Sequence, residues 1–184
     1  MNFHDHSNLE GLHAPFSPSQ PAWLRYDDDK IREVFRNKQA VQLGTRLHEW
    51  AAETIQLGLK QKGTNKTIYN YVNDAIGFHM TPEQVLYFSP RFFGTTDAIT
   101  FKNGILRIHD LKTGKTPAHM EQLEIYAALY CLEYGVKPAD IRMELRMYQN
   151  DEVLVHTPDV TDIAPIMDKI RHFDKVLEEL EEES

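Results

Sequence analysis

Two aspartates and a lysine carry the chemistry that reads most directly from this sequence. Residues 105–112 run Ile-Leu-Arg-Ile-His-Asp-Leu-Lys. In a strand alternate side chains share a face, so Leu106, Ile108, Asp110 and Lys112 point one way and Ile105, Arg107, His109 and Leu111 the other. On the preceding stretch Thr95, Asp97, Ile99 and Phe101 share a face. If the apolar members of both stretches meet in the core, Asp97 stands beside Asp110, with Lys112 as their neighbour. Two close carboxylates repel and raise each other's pKa unless a cation sits between them, and hard oxygen ligands of this kind suit Mg2+ or Mn2+. The lysine could then help water attack a phosphorus and offset charge growing on the transferring group. An acid-x-Lys pattern alone arises by chance about once in a chain of this charge content, and Asp28-x-Lys30 is a second occurrence with no strand around it. The hairpin and the phased Asp97 set the Asp110 pattern apart.

Three further side chains fit the same chemistry. His48 lies on a helical stretch beside Ala51, Ala52 and Ile55 and so faces a packed surface, where a neutral imidazole can give a nitrogen to a metal otherwise held by oxygens. A lone helical histidine is by itself more often structural. Gln122 and Tyr126 are one helical turn apart and share a stripe, within reach of a substrate phosphate or of the lysine; ordinary polar termination of a buried face would give the same pattern. Competing motifs fail. Gly114-Lys115-Thr116 resembles the end of a phosphate-binding loop, but the glycine required five positions before Gly114 is His109. His48-Glu49 begins a zinc-protease pattern whose second histidine would fall at Ala52. The His-Asp doublet of metal phosphohydrolases lies on a helix, whereas His109-Asp110 lies on an alternating strand. His4-x-His6 falls in a segment read as a mobile tail.

Four linked stretches occur in one order: Gly44-Thr45-Arg46-Leu47-His48-Glu49, Gly94-Thr95-Thr96-Asp97, His109-Asp110-Leu111-Lys112-Thr113-Gly114 and Gln122-Leu123-Glu124-Ile125-Tyr126. This order resembles the PD-(D/E)xK nuclease superfamily, specifically its RecB-like and phage-exonuclease branch, over residues 44–126. The opening His13 to Ser19 is also similar to the lead-in of some phage members. The resemblance implies a restriction-endonuclease-like core and a metal-dependent DNA exonuclease of phage-type recombination, replication or repair. It implies that His48, Asp97, Asp110 and the carbonyl of Leu111 hold Mg2+ or Mn2+, that Lys112 is the catalytic lysine, and that Gln122 and Tyr126 belong to the catalytic set. Many relatives carry four cysteines around an iron–sulfur cluster. With Cys131 alone, the clusterless variety is expected. The proline that commonly precedes the first aspartate is Thr96 here. The alternatives are a DNA-end-binding or partner-binding module with little or no cleavage, and a structure-specific endonuclease.

Composition bounds these readings. The chain has 184 residues, 41% hydrophobic, with 19 aromatics, which excludes disorder throughout and fits one globular domain with tails. No apolar run approaches the roughly 18 residues of a spanning helix, and the N-terminus lacks the order of a signal peptide. A soluble, cytoplasmic protein with no membrane partner is expected, in the host cytoplasm if phage-encoded. A single cysteine excludes an intrachain disulfide and an all-cysteine zinc site. The net charge of −8 argues against nucleic acid until the last seven residues are set aside, since five of them are Glu. From Arg25 to Lys66 nine Lys/Arg face six acids. Arg32, Arg36, Lys38, Arg46, Lys60 and Lys62 from this region, with Lys115, are the candidate phosphate contacts, although a solvated helix surface would look the same. DNA is thus the expected partner, with a recombination protein as a second.

The elements must bring these residues together. Pro15, Pro18 and Pro21 leave residues 1–21 as an extended arm. One or two short helices around Trp23 to Phe35 precede a firm helix carrying Val41, Leu43, Leu47, Trp50, Ala51, Thr54, Ile55 and Leu59, which Lys60 to Asn65 breaks. Another short helix over Ile68 to Ile76 follows. From Gln84 the period becomes that of strands: Val85–Phe88, Phe93–Phe101, then Ile105–Lys112, the last two joined at Lys102-Asn103-Gly104. A helix from Met120 ends at Gly135. Ile141, Met143, Leu145 and Met147 then alternate inward with Arg142, Glu144, Arg146 and Tyr148 outward, Asn150-Asp151 turns, and Glu152–His156 returns. A last helix begun by Thr161 presents Ile163, Ile166, Met167, Ile170, Phe173, Leu177 and Leu180 and frays into an acidic tail at 178–184. The result is an α/β domain over 22–177, core 44–156, with a mixed sheet flanked by helices.

Overall fold

The computed structural model describes residues 14–63 and 66–183. Most of the extended arm expected over 1–21, including His4, His6 and His13, therefore lies outside the described residues, as do Thr64 and Asn65 of the predicted break. Two compact units make up the chain, one reaching Thr45 and one starting at Arg46. In the first, a 3-10 turn Pro21–Arg25 leads to α1, and the Trp23 indole N–H donates to the Ser17 carbonyl at 3.0 Å. The short helices expected before residue 41 do not form separately. Asp28–Gln56 is one helix, α1, with no proline in it and Asp28 and Asp29 in its first turn, where the helix dipole favours acids.

The second unit holds a five-stranded sheet in the order β1 (Thr81–Ser89), β2 (Phe92–Lys102), β3 (Ile105–Leu111), β4 (Arg142–Gln149), β5 (Glu152–His156). β3 and β4 run parallel and the other pairs antiparallel, so the sheet is mixed, as its pattern of elements predicts. The β2–β3 and β4–β5 turns are the expected ones. Asn103 and Gly104 take φ of 54° and 73°, and Asn150 and Asp151 take 52° and 61°, the positive pairs a two-residue hairpin needs. The parallel step from β3 to β4 requires a crossover, which is α3 (Glu121–Tyr134), closed by Gly135 at φ 64°.

Both faces of the sheet are covered. On one, Leu86, Ile99, Leu106, Ile108, Met143, Leu145 and Met147 pack with Leu123, Ala127 and Cys131 of α3 and with Ile163, Met167 and Ile170 of α4 (Val160–Glu182). On the other, Ala98, Leu111 and Tyr148 pack with Ala51 and Ile55 of α1 and with Tyr71, Val72 and Ala75 of α2 (Thr67–Gly77). Tyr148, expected outward, is fully buried for this reason, its hydroxyl donating to Asp74 at 2.7 Å. His109 enters the same face beside Phe78 and Tyr148, and burial lowers its pKa to about 3, leaving the ring neutral.

Four boundaries differ from expectation, the first being that α1 ends at Gln56, short of Leu59. β1 begins at Thr81, ahead of Gln84. α4 is capped by Asp159, whose carboxylate accepts from the Thr161 N–H, in a capping box with Asp162. It continues to Glu182, so most of the expected acidic tail is helical, and Phe173, Leu177 and Leu180 are exposed. Among the described residues no helix is long and apolar enough to cross a membrane.

Candidate metal centre

The β2–β3 register builds the site. Ala98 pairs with His109 and Ile99 with Ile108, and the next step of this antiparallel ladder sets Asp97 opposite Asp110. One Asp97 oxygen accepts from the Leu111 N–H at 2.7 Å, which locks the carboxylate against the end of β3. Its other oxygen lies 3.5 Å from Nδ1 of His48, which arrives from the last third of α1 because Ala51 and Ile55, on the same helix, are anchored in the core. The hydrogen bond to Asp97 raises the His48 pKa, with burial opposing it.

Asp110 is only 3% exposed. Burial, reinforced by Asp97, raises its carboxyl above the ordinary range, while Lys112 and His48 pull the other way. The Lys112 Nζ lies 3.0 Å from Oδ2 of Asp110 and 3.4 Å from Oδ1. The Oδ2 contact is an ion pair outside hydrogen-bond geometry, so this buried oxygen makes no hydrogen bond. A cation among these groups would satisfy it. The set of one imidazole nitrogen and carboxylate oxygens therefore fits Mg2+ or Mn2+.

Helix α3 supplies the next wall. Lys112 Nζ donates to Oε1 of Gln122 at 2.7 Å, and the Tyr126 hydroxyl donates to the Thr95 carbonyl at 2.7 Å. Gly94 makes room for that ring, since a Cβ there would lie 2.9 Å from Tyr126 Cε1. Lys112 is itself anchored to β4 by its N–H, which donates to Tyr148. The loop from Thr113 into α3 is held from β4 by Gln149, whose amide donates to the carbonyls of Gly114 and Thr116. A cleft of about 630 Å³ opens here, lined by Lys112, Gln122, Tyr126, Ile125 and the exposed Phe93.

His48, Asp97, Asp110, Leu111, Lys112, Gln122 and Tyr126 are thus joined by a continuous set of contacts. The candidate DNA contacts fall in both units. Arg32, Arg36 and Lys38 belong to the first unit, and Arg32 is engaged by Asp29 at 3.3 Å and Asp28 at 3.7 Å. Arg46, Lys60, Lys62 and Lys115 belong to the second, all exposed, with Lys115 on the loop that Gln149 holds. One residue beside the site escaped the motifs. Glu83 lies between the pairs Pro82–Ala98 and Gln84–Thr96, which sets it opposite Asp97 on β1. Its only sequence signal would have been a strand starting before Gln84.

Compared with known proteins, the chain matches no family model, no curated protein and no solved structure.

Proposed function

We propose that this protein is a metal-dependent deoxyribonuclease that hydrolyses phosphodiester bonds, working as an exonuclease in phage-type recombination, replication or repair, on a restriction-endonuclease-like core. The observation that carries the reading is the ion-paired Asp110–Lys112 unit, with Asp97 and His48 on one side of it and Gln122 and Tyr126 on the other. Separate stretches of sequence meet at one sheet end, and this convergence supports the reading.

His48, Asp97, Asp110 and the Leu111 carbonyl would hold a divalent ion. Bound there, Mg2+ or Mn2+ supplies Lewis-acid polarisation of the phosphate and a lower pKa for water. The remaining work belongs to the chain. Lys112 keeps an ammonium beside the reacting phosphate, where it offsets negative charge as water adds to phosphorus and the bond to the leaving oxygen breaks. Gln122 fixes that ammonium, and Tyr126 braces the start of α3 against β2. The cleft beside Lys112 has room for a strand end, with the exposed Phe93 as a surface on which a base can stack.

Cleavage of a linear duplex, its single strand and a covalently closed circle, each with Mg2+, Mn2+ or chelator, tests the reading. Metal-dependent loss of linear forms alone is expected. Cleavage of the circle would make the protein an endonuclease, and DNA binding without cleavage of any form would make it a binding module.

A further inference from the structure

The resemblance that assigns His48, Asp97, Asp110 and Leu111 to one ion leaves Glu83 out. The geometry draws the groups differently. One ligand atom each from His48, Glu83 and Asp97 lie within 4.8 Å of one another, and Asp110 is not part of that group. Three acids stand in a row across three strands, Glu83 on β1, Asp97 on β2 and Asp110 on β3, with His48 reaching Asp97 from α1. Neighbouring strands are about 4.8 Å apart, so Glu83 and Asp110 flank Asp97 from opposite sides. Glu83 also takes φ 52° inside an otherwise extended strand, a left-handed conformation that glutamate rarely adopts. Asp110 Oδ2, buried with no hydrogen bond, faces the Lys112 ammonium at 3.0 Å and so belongs to the other side of Asp97.

We propose that Glu83 is a metal ligand and that, with His48 and Asp97, it forms a divalent-cation site separate from the Asp110–Lys112 pair. An imidazole with two carboxylates binds Mn2+ more tightly than Mg2+, because Mg2+ holds its water shell and favours oxygen ligands. Asp97 then serves both sides: one oxygen faces His48, and the other is held by Leu111. The assignment rests on the ligand geometry and not on the nuclease reading, which places its ion at Asp110.

Calorimetric titration of the whole chain with Mn2+, without DNA, tests the site on the native protein, Glu83→Gln and Asp110→Asn. Glu83 is exposed, so its variant should fold, and equal melting temperatures in chelator check this. We expect the native protein to bind Mn2+, Glu83→Gln to bind it at least about tenfold more weakly, and Asp110→Asn to keep a Glu83-dependent ion. Native binding unchanged in Glu83→Gln overturns the inference, as does equal loss in both variants, which would merge the two sides into one site. No Mn2+ binding by the native protein overturns it too. Because binding is read apart from cleavage, a protein that binds through Glu83 yet cuts no DNA refutes the nuclease reading and leaves the site standing. One that cuts DNA with Glu83→Gln binding unchanged does the reverse.

Discussion

Gln122 holds Lys112: from the first turn of α3 its Oε1 accepts the lysine ammonium at 2.7 Å, while Asp110 lies 3.0 Å away on the other side. The glutamine is a positioning residue, and a displacement of about 1 Å in such a group lowers turnover by roughly 10²-fold. Gln122→Ala should therefore lower kcat by about 10–100-fold with little change in KM or in Mn2+ affinity. Gln122→Glu, which keeps an acceptor oxygen, should recover most of the loss. A purely structural role would leave kcat unchanged at temperatures where the variant is folded.

Gly94 is required for space. A methyl group there meets the Tyr126 ring at 2.9 Å and pushes it from the Thr95 carbonyl, whereas a Cβ at Gly114 meets nothing within 4 Å. Gly94→Ala should cost about 1–3 kcal/mol, as overpacked sites do, and Gly114→Ala nearly nothing. Adding Tyr126→Ala should relieve the clash, so the two changes will not be additive. Denaturant unfolding of the four variants reads this out, and additive losses would place the strain elsewhere.

Asp110 should weaken the fold that it serves. Burial and Asp97 raise its carboxyl above the ordinary value of 3.8, so it favours the folded state most when protonated. That contribution is fully present below the unfolded pKa and is lost as pH rises through the raised folded value. In chelator at pH 7, Asp110→Asn should melt at a higher temperature than the native protein. The difference should shrink as pH falls toward 4. A lower melting temperature for Asp110→Asn in chelator at pH 7 would show that the pair with Lys112 outweighs burial.

The hairpins and the phase of the strands were legible because their signals are local. Asn103-Gly104 and Asn150-Asp151 adopt the positive φ that their types permit, and Ile99, Leu106 and Ile108 share one core as their alternation requires. Tyr148 and His109 were not legible, since a strand pattern shows which residues share a face but not that a second layer covers both faces. α1 and α2 supply that layer from far away in the chain. Nor does anything between Asp28 and Val41 distinguish several short helices from one long one. Glu83 was missed for a different reason. It belongs to no spaced motif, and neither its place opposite Asp97 nor its backbone conformation has a signature in residue type.

Lys112 bears the proposed catalysis, and the decisive measurement is single-turnover cleavage of linear DNA by Lys112→Ala, with DNA affinity and melting temperature measured in parallel. Losing the ammonium should slow cleavage by about 10³-fold or more, the scale of removing a charge-stabilising group. Folding should be unaffected and DNA binding nearly so. Cleavage at the native rate by a folded Lys112→Ala protein would show that the ammonium has no part in hydrolysis.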